Sequence, residues 1–234
     1  RFESWRGDNF NLISNRIYYP IWAQDSSESW VLLVDEQLKR IWKSGCLSTC
    51  DVKCVITGDQ SGKIKELVSL YEWVEILECT NDQSEFEGAT LKHLYNDCVE
   101  SKVSNVMYMH TKGISNMTSY PERVRAVNSW RHMMEWACID RWEENIQSLD
   151  IDGYDISGAN WDPKPWPHFS GNFWWATSDY ISSLKYPVDK NDDRYQYERW
   201  IGTNNPLVKN IYEPDKNLWL YRDDIYPKYL NTDG

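Results

Sequence analysis

The sequence predicts an α/β fold, one domain with a mostly parallel central sheet flanked by helices. Three observations predict it. Between residues 16 and 109, short runs rich in β-branched and aromatic residues alternate with segments whose apolar residues recur at helical spacing. A length of 234 residues with 41% hydrophobic content is enough for a single sizeable core. No internal repeat or low-complexity segment points instead to a solenoid or a linker.

Taken in order, "RIYYPIWA" (16–23) reads as a first strand. "SESWVLLVDEQLKRIWKSG" follows as a helix with a Ser cap, an apolar face of Trp30, Leu33, Val34, Leu38 and Ile41, and Gly45 at its exit. "DVKCVITGD" (51–59) alternates as a second strand, "SGKIKELVSLYE" makes a short helix, and "WVEILEC" (73–79) a third strand. "EGATLKHLYNDCVESK" puts Leu91, Leu94, Tyr95 and Cys98 on one helical face ahead of the strand "NVMYM". Past "HTKGISNMTSYPE" the spacing predicts one long helix over residues 122–148. "YDISGANW" (154–161) is a strand, "DPKPWPHFS" a proline-rich loop, and "GNFWWATSDYI" a strand running into a helix that starts at Ser178 or Asp179. "DRYQYERWIG" (193–202) is a short helix, and the Pro-, Asn- and Asp-rich residues 207–234 read as a wrapping tail.

A net charge of −11 argues against a broad nucleic-acid footprint or a polybasic membrane patch. No apolar run reaches the roughly 18 residues of a membrane span. Cysteines 46, 50, 54, 79, 98 and 138 lack the C-x2-C pairs of a zinc site and are expected to be reduced, buried thiols. "NMT" at Asn116 is a formal glycosylation sequon, and "RGD" at 6–8 is read as coincidence. Because the chain begins at Arg1 without a methionine, an upstream signal or anchor is one expectation.

In an open α/β sheet, ligands sit outside the carboxyl ends of the strands. Those ends carry Trp22, then Asp59, then His110, Thr111, Lys112 and Gly113, and then Asn160, Trp161 and Asp162. No G-x-G-x-x-G or P-loop is present, so a diphosphate would be held by side chains. His110 and Lys112, with Arg123, Arg125 and Arg131 downstream, concentrate positive charge near one strand end. "PHFSGNFWWATSDYI" offers His168 and Asn172 for hydroxyl groups, Gly171 for close approach, and Trp174 and Trp175 on opposite faces of a strand, one of them for stacking on a sugar. Asp193 and Glu198 are the candidate catalytic carboxylates, with Arg199 and Trp200 placed to hold Glu198.

Together, "YMHTKG", "VNSWRHMMEW", "GANW", "PHFSGNFWWA" and "YERWIGTNNP" resemble the small GT-A-type glycosyltransferases of polysaccharide-synthesis clusters and large algal viruses, over residues 16–206. The resemblance implies a single GT-A-like, Rossmann-like domain with a nucleotide-sugar half over 16–115 and an aromatic-rich acceptor half over 116–206. It also implies a UDP- or GDP-sugar donor and transfer to a glycan or glycoprotein acceptor; one base candidate and no evident nucleophile make inversion the expected outcome. The Asp-x-Asp that holds a divalent metal in GT-A enzymes is replaced at the expected strand end by His110-Thr111-Lys112, so imidazole and ammonium are expected to supply part of the charge of manganese or magnesium. "DID" at 150–152 follows a helix and is read as a decoy, leaving no assigned metal ligand. A carbohydrate-binding module and a glycoside hydrolase, which needs two carboxylates about 5 to 9.5 Å apart, are the rival functions. A cytoplasmic location is expected, with the Golgi lumen as the alternative.

Overall fold

The structure is a computed structural model that describes residues 15–23, 29–82, 87–112, 121–187 and 195–213. The RGD triplet, Asn116, Gly113, Asp193 and the tail beyond residue 213 lie outside the described residues.

The first half alternates strand and helix as its sequence pattern requires: β1 (Asn15–Trp22), α1 (Ser29–Ser44), β2 (Cys50–Thr57), α2 (Ser61–Val68), β3 (Val74–Thr80), α3 (Gly88–Val99) and β4 (Asn105–Tyr108). Gly45, at φ 80, closes α1 in the left-handed conformation that ends many helices. β1 is buried on both faces. Ile17, Tyr19 and Ile21 join the α1 face of Trp30, Val34, Leu38 and Ile41 in one core, whereas Tyr18 joins Leu91, Leu94 and Cys98 of α3 in a second. A strand covered on both sides reads as a continuous apolar run, which "RIYYPIW" nearly is.

The second half departs from the expected layout. The long helix over 122–148 is two helices, α4 (Pro121–Glu135) and α5 (Trp142–Asp150), joined by a π-helical turn at Trp136–Asp140. Asn145 donates to the carbonyls of Ala137 and Arg141, satisfying backbone that the break releases. Next come β5 (Ile156–Ala159), a hairpin of β6 (Trp161–Asp162) and β7 (His168–Phe169), then β8 (Trp174–Thr177), α6 (Ser178–Ser183), α7 (Gln196–Trp200) and β9 (Val208–Tyr212). Thr177 caps α6, its hydroxyl accepting from the Tyr180 amide. The segment read as the start of a tail contributes β9, which pairs in parallel with β5. Its alternation is too short and too polar to announce a strand.

The main sheet has seven strands in the order β3-β2-β1-β4-β8-β5-β9. All neighbours are parallel except β8, which runs antiparallel to both β4 and β5. The fold class is therefore the one expected, a mostly parallel sheet flanked by helices. From β1 the chain builds outward to β2 and β3 and then returns to lay β4 on the other side of β1. In open α/β sheets such a reversal is where ligands bind, outside the carboxyl ends of the two strands, here β1 and β4. Among the described residues no helix is long and apolar enough to cross a membrane.

Candidate active site

At the reversal point the ends of β1 and β4 are tied together. The Met109 amide donates to the Tyr18 carbonyl, and the Trp22 amide to the Thr111 hydroxyl at 3.2 Å. The Lys112 amide folds back onto the His110 carbonyl at 2.7 Å, so the chain turns sharply as it leaves the sheet. The turn aims the His110 side chain across the mouth of the sheet. Its Nε2 lies 3.0 Å from the Gly171 carbonyl, and its Nδ1 3.5 Å from Glu87 Oε1. A carbonyl only accepts, so Nε2 carries the proton. Nδ1 can then hold a proton only in the imidazolium, which Glu87 is placed to stabilise.

Glu87, just before α3, organises this end of the site. Its Oε2 accepts from the Tyr108 hydroxyl at 2.7 Å and from Asn172 Nδ2 at 3.1 Å. Asn172 is buried at φ 59, a backbone region that asparagine tolerates, and its amide oxygen accepts from the Trp174 indole at 2.9 Å. Burial pushes the His110 pKa below the ordinary histidine value; Glu87 pulls it up, Lys112 pushes it down, and Glu198 pulls it up. The net lowering leaves a neutral imidazole at neutral pH. Of the pair expected to replace metal charge, Lys112 alone is then a cation, and its ammonium rests 4.4 Å from the centre of the Trp130 ring.

Glu198 comes to this mouth from α7. Tyr197 packs so closely on Gly88 that an added Cβ there would lie 2.4 Å from its hydroxyl, which anchors α7 beside the start of α3. The Glu198 charge is felt by both His110 and Tyr108. Its carboxylate is half-buried and has no hydrogen bond or ion pair among the described residues. The expected clamp by its neighbours is corrected: the Arg199 guanidinium lies 5.0 Å from the Trp166 ring centre, and the Trp200 indole donates to the Lys185 carbonyl.

The structure thus brings Trp22, His110, Thr111, Lys112, Gly171, Asn172 and Glu198 to one end of the sheet, with exposed Asp59 following β2. Three expectations are corrected. Trp174 and Trp175 are 1% and 0% exposed: Trp175 donates to the Cys138 carbonyl in one core, and Trp174 stacks on Tyr108 in the other, so neither offers a face to a sugar. The group that approaches Gly171 is Met134, not a ligand. At φ +96, an added Cβ would lie 2.2 Å from the Met134 sulfur, and Gly171→Ala is expected to destabilise the fold by about 1 to 3 kcal/mol in urea unfolding. Arg131 is committed to two carboxylates, 2.7 Å from Glu135 and 3.2 Å from Glu36, so its charge is already paired. Burial opposes its charge, but Glu135 and then Glu36 hold its pKa above the ordinary arginine value. Asp162 and His168 stand on the β6–β7 hairpin, Asp162 accepting from the Lys164 amide.

Among the described residues, one group of three offers ligand atoms that lie within 4.8 Å of one another, Glu36, His132 and Glu135. It does not fit a divalent cation. Arg131 bonds both carboxylates, Arg40 lies 3.1 Å from Glu135, and the two guanidinium groups reach the two His132 nitrogens at 3.2 and 3.4 Å. Two positive charges already occupy the space that a metal would need.

Residues 18–217 match the model of a family described as a domain of unknown function, DUF8361. The chain belongs to that family. Solved structures similar to this DUF8361 chain include one described as a nucleotide-diphospho-sugar transferase from Desulfovibrio desulfuricans G20, at 10% identity and TM-score 0.41, covering 93% of this chain and 95% of that one. HddC from Yersinia pseudotuberculosis is similar at 11% identity and TM-score 0.48, covering 93% and 99%. A 4-diphosphocytidyl-2C-methyl-D-erythritol synthase is similar at 11% and 0.42, covering 94% and 99%. No curated protein matches the DUF8361 chain.

Glu87 is the site residue that the sequence reading missed. The available signal was its position, an acid opening the helix after the third strand and so at the same sheet end as His110.

Proposed function

We propose that this DUF8361 member is a glycosyltransferase that moves a sugar from a nucleoside diphosphate to an acceptor hydroxyl. One observation carries the reading: at the reversal point of a doubly wound sheet, His110 lies in the combined field of the Lys112 ammonium and the Glu198 carboxylate, which no other group among the described residues engages. Lys112 supplies positive charge for a diphosphate, and Glu198 a base for a hydroxyl. The motif resemblance supports a sugar nucleotide as the diphosphate.

In the reaction, Glu198 takes the acceptor proton while the acceptor oxygen attacks the anomeric carbon. The bond from that carbon to the diphosphate oxygen breaks, and its electron pair leaves with the nucleoside diphosphate. Negative charge collecting on that oxygen is met by the Lys112 ammonium, which swings off Trp130 beside the His110 imidazole. With Glu198 as the base candidate and no evident nucleophile among the described residues, single displacement with inversion is the favoured outcome. No step is routed through a metal. Six free cysteines, five of them buried, suit a reducing, cytoplasmic compartment.

The test is a thermal-shift screen of nucleoside diphosphates and their sugars, with and without manganese. A nucleoside diphosphate is expected to raise the melting temperature, and Lys112→Ala to weaken its binding roughly tenfold or more, the size of one charge-assisted contact. Unchanged binding in Lys112→Ala would return this lysine to an ordinary solvated loop charge.

A further inference from the structure

We infer that the β6–β7 hairpin together with α7 forms a pyranoside-binding subsite centred on Trp166. The inference rests on the glycosyltransferase reading for the sugar's role as acceptor, but not for the binding itself.

The hairpin tip, residues 163–167, carries Pro163, Pro165 and Pro167, so little backbone freedom remains to be lost when a ligand seats on it. Its far side is locked to the exit of α7, where an added Cβ on Gly202 would lie 2.1 Å from the Pro167 carbonyl oxygen. This stiff support presents a group of rings. Trp166 is half-buried, with His168 at 6.1 Å and Tyr195 at 5.8 Å between ring centres, each inclined by 46°, and the Arg199 guanidinium over it. Tyr195 is 42% exposed. These inclined, partly exposed rings around a cation contrast with fully covered Trp174 and Trp175.

Polar groups around the same hairpin are set for a polyhydroxylated ligand. His168 Nδ1 lies 2.8 Å from the Trp166 carbonyl, so it carries a proton and donates it there, which fixes the ring beside Trp166. The Trp166 indole N–H, the Asn160 amide nitrogen at the hairpin base and the Gln196 amide oxygen on α7 are shielded and have no hydrogen-bond partner among the described residues. Native proteins leave few such groups unsatisfied, and sugar hydroxyls would supply both donors and acceptors once these side chains turn toward them. The place also suits an acceptor, because Glu198 is the α7 residue immediately before Arg199.

Fluorotryptophan-labelled protein gives a direct readout, with the Trp166 fluorine signal assigned by its loss in Trp166→Phe. Methyl β-D-glucopyranoside, methyl β-D-galactopyranoside and methyl α-D-mannopyranoside serve as probes. At least one is expected to move the Trp166 signal saturably while the Trp174 and Trp175 signals stay in place. Tyr195→Ala, at a ring that is 42% exposed, is expected to weaken that probe roughly threefold to tenfold while the melting temperature reports any loss of stability. No saturable response at Trp166 from any probe, or an unchanged response in Tyr195→Ala, overturns the subsite. Nucleoside diphosphate binding measured on the same samples separates the two proposals. Sugar binding at Trp166 without it keeps the subsite and removes the transferase reading, and diphosphate binding with a silent Trp166 does the reverse.

Discussion

Glu198→Gln is expected to lower turnover about 10²- to 10⁴-fold while leaving nucleoside diphosphate binding nearly intact. The substitution keeps shape and hydrogen bonding and removes basicity. Two features make this carboxylate the base. It is half-buried beside His110, and no described group neutralises it, whereas Glu87 is already engaged by Tyr108, Asn172 and His110. Glu87→Gln should therefore behave differently, disturbing His110 and the leaving-group side of the reaction, with its loss appearing in diphosphate affinity as well as in turnover. Near-normal turnover in Glu198→Gln would pass the base role to Asp162 on the hairpin, or to Asp193, and the same substitution there becomes the deciding measurement.

The second large effect is on stability. Arg131→Met is expected to destabilise the fold by about 3 to 5 kcal/mol, read as a lower urea midpoint, because it leaves a buried carboxylate without its closest counter-charge. Glu135 is fully buried and takes 2.7 Å and 3.1 Å contacts from Arg131 and Arg40. It also accepts from Gln37 at 2.8 Å, and Gln37 in turn accepts from Tyr19, so the loss would spread into the α1–β1 packing. Removing both charges in Arg131→Met with Glu135→Leu should recover much of the lost stability, since no unpaired ion then remains buried. A single variant as stable as the parent would mean that water reaches Glu135 and that the network is a surface feature. The parent protein, with both guanidinium groups in place, should show no stabilisation by manganese through Glu36, His132 and Glu135.

Much of the site was legible where it depends on sequence-local rules. His110 and Lys112 stand directly after an apolar run, so their place at a strand end follows from the pattern alone. Arg131 illustrates the limit: Glu135 stands four residues on in the same helix and is a sequence-local partner, but Glu36 lies on α1 and only packing brings it to the guanidinium. Glu87 and His110 are brought together by the return of the chain from β3 to β4, which no spacing rule encodes.

By itself the sequence determined the alternation of strand and helix through β4, because period 2 and period 3.6 are properties of neighbouring residues, and it determined which strand ends carry charge. Tertiary structure decided the rest. It inserted antiparallel β8 between β4 and β5 and added β9 at the edge, since pairing partners are chosen by distant strands. It also decided which tryptophans are covered. Alternation places Trp174 and Trp175 on opposite faces, but only the helices packed on both faces bury them, while Trp166, carried beyond the sheet on a hairpin, keeps part of its ring in solvent.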